Sequence, residues 1–280
     1  MEEIYHNTTF KISRIMTRSY STSFSLGIRV FSPSCRDAIY AVYGYVRLAD
    51  EIVDSFHNYE KKQLLDDFRK ETFNAIERGI STNPVINSFQ LTVNKYEIDL
   101  KYVEDFLNSM EMDLSNNYYE PKVFDEYIYG SAEVVGLMCL KVFCHSHPGL
   151  FEELLQPAKS LGAAFQKVNF LRDIKSDLIE RGRIYLPGVN EQIKITDENK
   201  KKLENDILAE FDSALKGIKR LPAGVKLGVY SAYLYYVGLF NKIRKSDIEI
   251  LLQKRVRVSN FSKIILLLKS WLEVRILKTC

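Results

Sequence analysis

Apolar residues recur every three to four positions along most of the chain, the spacing of a helix with one buried face, and no convincing run alternates as a half-buried strand does. The pattern predicts a helix opening at Ser34, with Asp37 three residues on as its capping box, and running to about Ser55. Lys61 to Arg78 reads as an amphipathic surface helix ended by Gly79. Further helices are expected near 83–94, 98–116, 121–129, 131–145 and 150–178. Gly182 and the Pro187-Gly188 pair then break the chain, and helices resume over about 196–220, 222–245 and 259–277. No repeat period and no shift of composition marks a linker, so the expected architecture is all-α, one helical domain over residues 1–280.

Two of these helices break the surface rule. Tyr43, Arg47, Asp50 and Asp54 fall at i, i+4, i+7 and i+11, interleaved with Ala41, Val42, Val46, Leu48, Ile52 and Val53. Gln166, Asn169, Asp173 and Asp177 fall at i, i+3, i+7 and i+11 amid Ala163, Ala164, Phe165, Val168, Phe170, Leu171 and Ile174. A narrow polar stripe on an otherwise apolar helix implies burial nearly all round, with the stripe lining a cavity or meeting a partner. Isolated carboxylates are too costly to bury without cations or hydrogen bonds. Each stripe sets two aspartates one turn apart, so both carboxylates project from one face. Two such faces turned toward each other make an oxygen-rich cavity suited to Mg²⁺ carrying a diphosphate, because Mg²⁺ takes one or two carboxylates and fills its other positions with water and phosphate oxygens.

Composition narrows the class. A length of 280 residues supports a substantial core, and a net charge of +3 (39 basic against 36 acidic residues) with no basic tail argues against nucleic acid as a partner. Cys35, Cys139, Cys144 and Cys280 show no metal-ligand spacing and fit a reducing cytoplasm. His145 and His147 sit beside Pro148-Gly149 in an expected turn, not in a metal site. The sequence beginning Met-Glu-Glu-Ile-Tyr-His lacks the pattern of a signal peptide, and no apolar run of about 18 residues suggests a membrane span.

The motifs resemble a known family. Arg47-x-x-Asp50-Glu-x-x-Asp54, Asn169-x-x-Arg172-Asp173-x-x-x-Asp177 and Gly182-Arg-Ile-Tyr-Leu-Pro187 are similar to segments of the squalene and phytoene synthases. Tyr20-Ser-Thr-Ser-Phe24, Tyr129-Gly-Ser-Ala132 and Arg255-Val-Arg-Val-Ser259 extend the likeness over about residues 15 to 265, in the expected order. The resemblance implies a class I terpenoid synthase bundle around a central cavity, in which two allylic diphosphates are joined 1′ to 1 through a cyclopropylcarbinyl diphosphate. Expulsion of diphosphate would be assisted by Mg²⁺, with Mn²⁺ as a substitute, held by Asp50, Asp54, Asn169, Asp173 and Asp177. Arg47, Arg172 and Arg183 are the expected diphosphate clamp, with Tyr43 and Tyr185 beside it and Tyr20, Ser21, Gln166 and Tyr236 as further substrate contacts. Phe24, Tyr129, Phe165 and Phe170 are candidates to shelter a carbocation. Tyr20 stands where some relatives have a histidine, and a phenol there can hydrogen-bond but carries no positive charge.

The form of the motifs favours two geranylgeranyl diphosphates and phytoene as product, without NADPH; two farnesyl diphosphates giving squalene or dehydrosqualene is the alternative, and a non-catalytic helical scaffold a third reading. A downstream carotenoid desaturase would be a partner. The stretch from Phe261 to Lys269 reads as a core helix whose lysines reach solvent, although a hydrocarbon product would bring weak peripheral contact with the inner membrane surface.

Overall fold

Four early helices frame one wall of the molecule: α1 (Glu2–Tyr20), α2 (Thr22–Arg29), α3 (Pro33–Asp54) and α4 (Lys61–Arg78). Then follow α5 (Pro84–Tyr96), α6 (Leu100–Ser115), α7 (Pro121–Ile128) and α8 (Val134–Cys144). The second half comprises α9 (Pro148–Glu180), α10 (Asp197–Ile218), α11 (Ala223–Arg244), α12 (Ile248–Gln253) and α13 (Asn260–Trp271). This computed structural model describes residues 1–115, 118–186, 189 and 196–280, so the expected break at Pro187-Gly188 lies outside the described residues. Among these there is no strand, only one bridge between Tyr118 and Ile184. The fold is all-α, as expected.

Local chemistry explains the helix ends. Pro33, Pro84 and Pro121 open their helices in the first turn, where a missing N–H leaves nothing unsatisfied. Gly79, at φ 81°, closes α4 in the left-handed conformation that glycine adopts freely. The capping box expected at Ser34 and Asp37 is absent. Helix α3 starts at Pro33 with Ser32 in the cap position and no side-chain cap bond, because Asp37 is engaged by Arg14 of α1 at 2.5 Å. A capping box does exist at Thr196, which exchanges bonds with Asn199 at the start of α10.

Helix α3 is the spine. Its residues Ala38, Ile39, Tyr40, Ala41, Val42, Tyr45, Ala49, Ile52 and Val53 are all buried, and the Tyr45 ring lies flat on Phe89 of α5 at 3.7 Å between centroids. Helix α9 faces it across the interior and packs on α8 and α10. A π turn, Tyr129–Glu133, joins α7 to α8 without a break. The resulting stretch Pro121–Cys144 is long and apolar enough to cross a membrane by length and composition, but more than half of its apolar window is buried, as in a core helix.

The π turn lets three backbones meet. A Cβ on Gly130 would lie 2.5 Å from the Asp105 carbonyl oxygen of α6, and one on Gly162 of α9 would lie 2.5 Å from the Ala132 carbonyl oxygen. Gly162→Ala should therefore cost about 1–3 kcal/mol of stability through overpacking. Gly149→Ala, where a Cβ meets nothing within 4 Å, should not. Chemical denaturation of both variants checks the difference.

Candidate active site

Between α3 and α9 lies a cavity of about 490 Å³ with two unlike ends, within the roughly 300–1,000 Å³ typical of ligand sites. One end carries Tyr20, Ser21, Tyr43, Arg47, Asp50, Gln166, Asn169, Arg172, Tyr236 and Arg255; the other is walled by side chains such as Phe31, Ile39, Cys139, Phe143, Leu154 and Leu221. Of the two polar stripes read from the sequence, Tyr43, Arg47, Asp50, Gln166 and Asn169 line this space, whereas Asp54, Asp173 and Asp177 lie outside its lining, held by arginines.

Each polar group is held by its neighbours. The Arg47 guanidinium lies 4.3 Å over the Tyr20 ring, pairs with Glu51 and stands 3.8 Å from Asp50, while its buried Nε has no partner. Tyr43 stacks on Phe24 at 4.8 Å, and burial raises its phenol to about 12, so it stays a donor. Ser21 caps α2 by accepting from the Phe24 amide at 3.2 Å. Asn169 accepts from the Tyr236 hydroxyl at 3.3 Å, and the Tyr236 ring lies on Phe165 at 3.8 Å.

The acids are tied together by arginines. Arg181 donates to Asp177 at 2.5 Å and stands 3.4 Å from Asp54, so a single guanidinium spans the two acidic helices. Asp173 accepts two bonds from Arg172, at 2.9 and 2.5 Å, and is also paired by Arg255 at 2.6 Å. Burial pushes the Asp50 carboxyl up to about 7 against the pull of Arg47, with Asp54 and Asp113 adding to the rise, although a third of its side chain still meets cavity solvent. Asp177 is raised to about 7 by burial as well, opposed by Arg181 and reinforced by Asp173. Among the described residues no three acidic, histidine or cysteine side chains already form a metal cluster. The donors here are carboxylate and amide oxygens, the hard ligands of Mg²⁺ or Mn²⁺, and a cation would relieve the two raised carboxyls. The residue types fit such an ion.

Some expected contacts lie elsewhere. Tyr129 is outside the cavity, beneath the Lys159 ammonium at 4.9 Å. Arg183 and Tyr185 border a small neighbouring pocket with Phe170 and Asp177. Arg183 is buried, donating to Asp54 at 2.7 Å and standing 3.6 Å from Asp113. Asp113 is the residue that the sequence reading missed. It accepts from the hydroxyls of Tyr119, Tyr127 and Tyr185 at 2.9, 2.8 and 2.7 Å, and the network braces the wall behind Asp54. A signal existed: Val103, Phe106, Met110 and Asp113 follow the spacing of one buried helix face, so the acid sits on an apolar stripe. Arg181, one turn after Asp177, was equally legible as an i, i+4 pair.

The structure matches a crystal structure of a dehydrosqualene synthase with a TM-score of 0.82 (23% identity, 96% of this chain and 98% of that one). It matches a squalene synthase from Alicyclobacillus acidocaldarius with a TM-score of 0.75 (22% identity, 86% of this chain and 95% of that one). The squalene/phytoene synthase family model matches residues 17–262, and the chain belongs to that family. It is 31% identical over 248 residues to a chloroplastic phytoene synthase 2 of Oryza sativa subsp. japonica, covering 81% of this chain and 61% of that protein. It is 28% identical to a phytoene synthase of Arthrospira platensis, covering 96% of this chain and 94% of that protein. The chain thus spans about three fifths of the length of the rice relative and nearly all of the Arthrospira one.

Proposed function

We propose that the protein condenses two geranylgeranyl diphosphates head to head, forming phytoene and releasing two diphosphates and a proton. The observation that carries this reading is the cavity's division: an end lined by Arg47, Arg172, Arg255 and the Asp50 carboxylate for diphosphate, continuous with an apolar end for prenyl chains. The relative from Arthrospira platensis, matched over nearly its whole length, supports the twenty-carbon substrate.

In this reading Asp50, Asp54, Asp173 and Asp177, with the Asn169 amide oxygen, would hold Mg²⁺. Such an ion would neutralise charge on the departing diphosphate. Arg47, Arg172 and Arg255 turn guanidinium donors toward phosphate oxygens, and Tyr43, Tyr20 and Tyr236 offer hydroxyls. Phe24, Phe165 and the apolar wall keep water from the cationic carbon chain. Loss of the first diphosphate lets C1 of one chain alkylate the 2,3 double bond of the other. Loss of the second diphosphate, rearrangement and release of one proton then leave the central double bond. The four cysteines are free thiols.

Incubation with Mg²⁺ and either twenty-carbon or fifteen-carbon diphosphate, followed by product identification, tests the proposal. A forty-carbon hydrocarbon formed without NADPH is expected. Product that forms only with NADPH, and otherwise stalls at the cyclopropyl diphosphate, would replace phytoene with squalene.

A further inference from the structure

Helix α13 is turned the wrong way for water. Phe261, Ile264, Ile265, Leu268 and Trp271, with Leu272 just beyond, occupy about a third of the helix circumference. All six are exposed, from 45% at Trp271 to 73% at Phe261. The opposite face carries Ser262, Lys263 and Ser270 beside the half-buried Leu266 and Leu267, and faces the protein. Ser270 is fully buried against Ser231 of α11 at 2.6 Å, and Lys263 reaches Thr22 at 3.3 Å across the Tyr235 ring. A surface helix in water keeps its outward face polar, so the core role expected for Phe261 to Lys269 is corrected for the exposed stripe. A contiguous exposed apolar stripe of this kind marks an interaction surface.

Charge identifies the occupant. Residues 254–280 carry seven Lys and Arg against Glu273 alone, a net +6 in a chain whose total is +3. Glu273 is engaged by the Tyr230 hydroxyl at 2.7 Å. Lys254, Arg257, Lys269, Arg275 and Lys278 are exposed. Two copies joined symmetrically through this face would set like charges together, whereas an anionic bilayer offers an apolar interior beneath a negative surface. Trp271, the chain's one tryptophan, suits the boundary between the two. Helix α13 also packs beside the cavity, through Lys263 over the ring of Tyr235, a cavity-lining residue.

We propose that the face formed by Phe261, Ile264, Ile265, Leu268, Trp271 and Leu272 seats the protein on an anionic lipid bilayer, its lysines and arginines resting among phosphate headgroups. The assignment stands on this surface alone and does not depend on which reaction the cavity performs.

Flotation of the full chain with phosphatidylglycerol–phosphatidylcholine vesicles tests it, with pure phosphatidylcholine vesicles for comparison. The protein should float with the anionic vesicles at low salt and much less at about 1 M salt, where screening shortens to roughly 3 Å. Ile264→Ser with Leu268→Ser should weaken partition about a hundredfold, the change expected for withdrawing two aliphatic side chains. Both positions are exposed, so circular dichroism should be unchanged. Absence from the anionic vesicles at low salt, or equal flotation of the double variant, overturns the proposal. So does a dimer in sedimentation that the double variant dissociates without any vesicle binding.

Discussion

Asp50→Asn should abolish turnover, a loss of at least about a thousandfold, while the helices stay intact. The carboxylate lines the cavity, and burial has already lifted it to about 7 with Asp54 and Asp113 nearby. Removing its charge lessens repulsion, and Arg47 keeps Glu51 as partner, so stability should hold or rise. Asp173→Asn should be equally inactive but should lose stability, by about 1–3 kcal/mol, because Arg172 and Arg255 both lose their charged acceptor. Steady-state assays beside denaturant unfolding separate the two. Near-normal turnover in either variant would remove the paired helices from the chemistry.

The largest effect on stability is expected at Asp113. Asp113→Ala strips three buried tyrosine hydroxyls of their acceptor and leaves Arg183 buried with Asp54 as its remaining carboxylate. Breaking a buried charge network on one side costs about 3–5 kcal/mol. Asp113→Asn keeps one acceptor oxygen and should recover part of that loss. A fall below about 1 kcal/mol in Asp113→Ala would mean that water replaces the carboxylate and the network braces nothing.

The second-half helices and both acidic stripes were legible because their apolar spacing is strong and their polar residues are few. Helix α1 was not. It packs on α3 and α5 through Thr9, Ser13 and Thr17, all fully buried. Those hydroxyls bond to backbone oxygens of their own helix and across to Ser88 at 2.7 Å. A contact face of small hydroxyls, opposed by Gly44, gives no hydropathy period to read. Helix α12 is six residues long, too short for one. Helix α13 was found but placed face-in, since periodicity gives a helix its apolar stripe without saying what covers it. The acids were legible as a group; the pairing of Arg255 with Asp173 was not, because the two lie 82 residues apart.

Carbon-13 at C1 of both substrate molecules gives the most direct test of head-to-head condensation. Incubated with Mg²⁺ and C1-labelled geranylgeranyl diphosphate, the protein should release a forty-carbon product whose two labels are bonded to each other at the central double bond, seen as a single enriched olefinic carbon resonance whose attached vinylic protons show a second-order pattern from both labels. A product whose labels are not bonded to each other, or no metal-dependent release of diphosphate at all, would contradict the account.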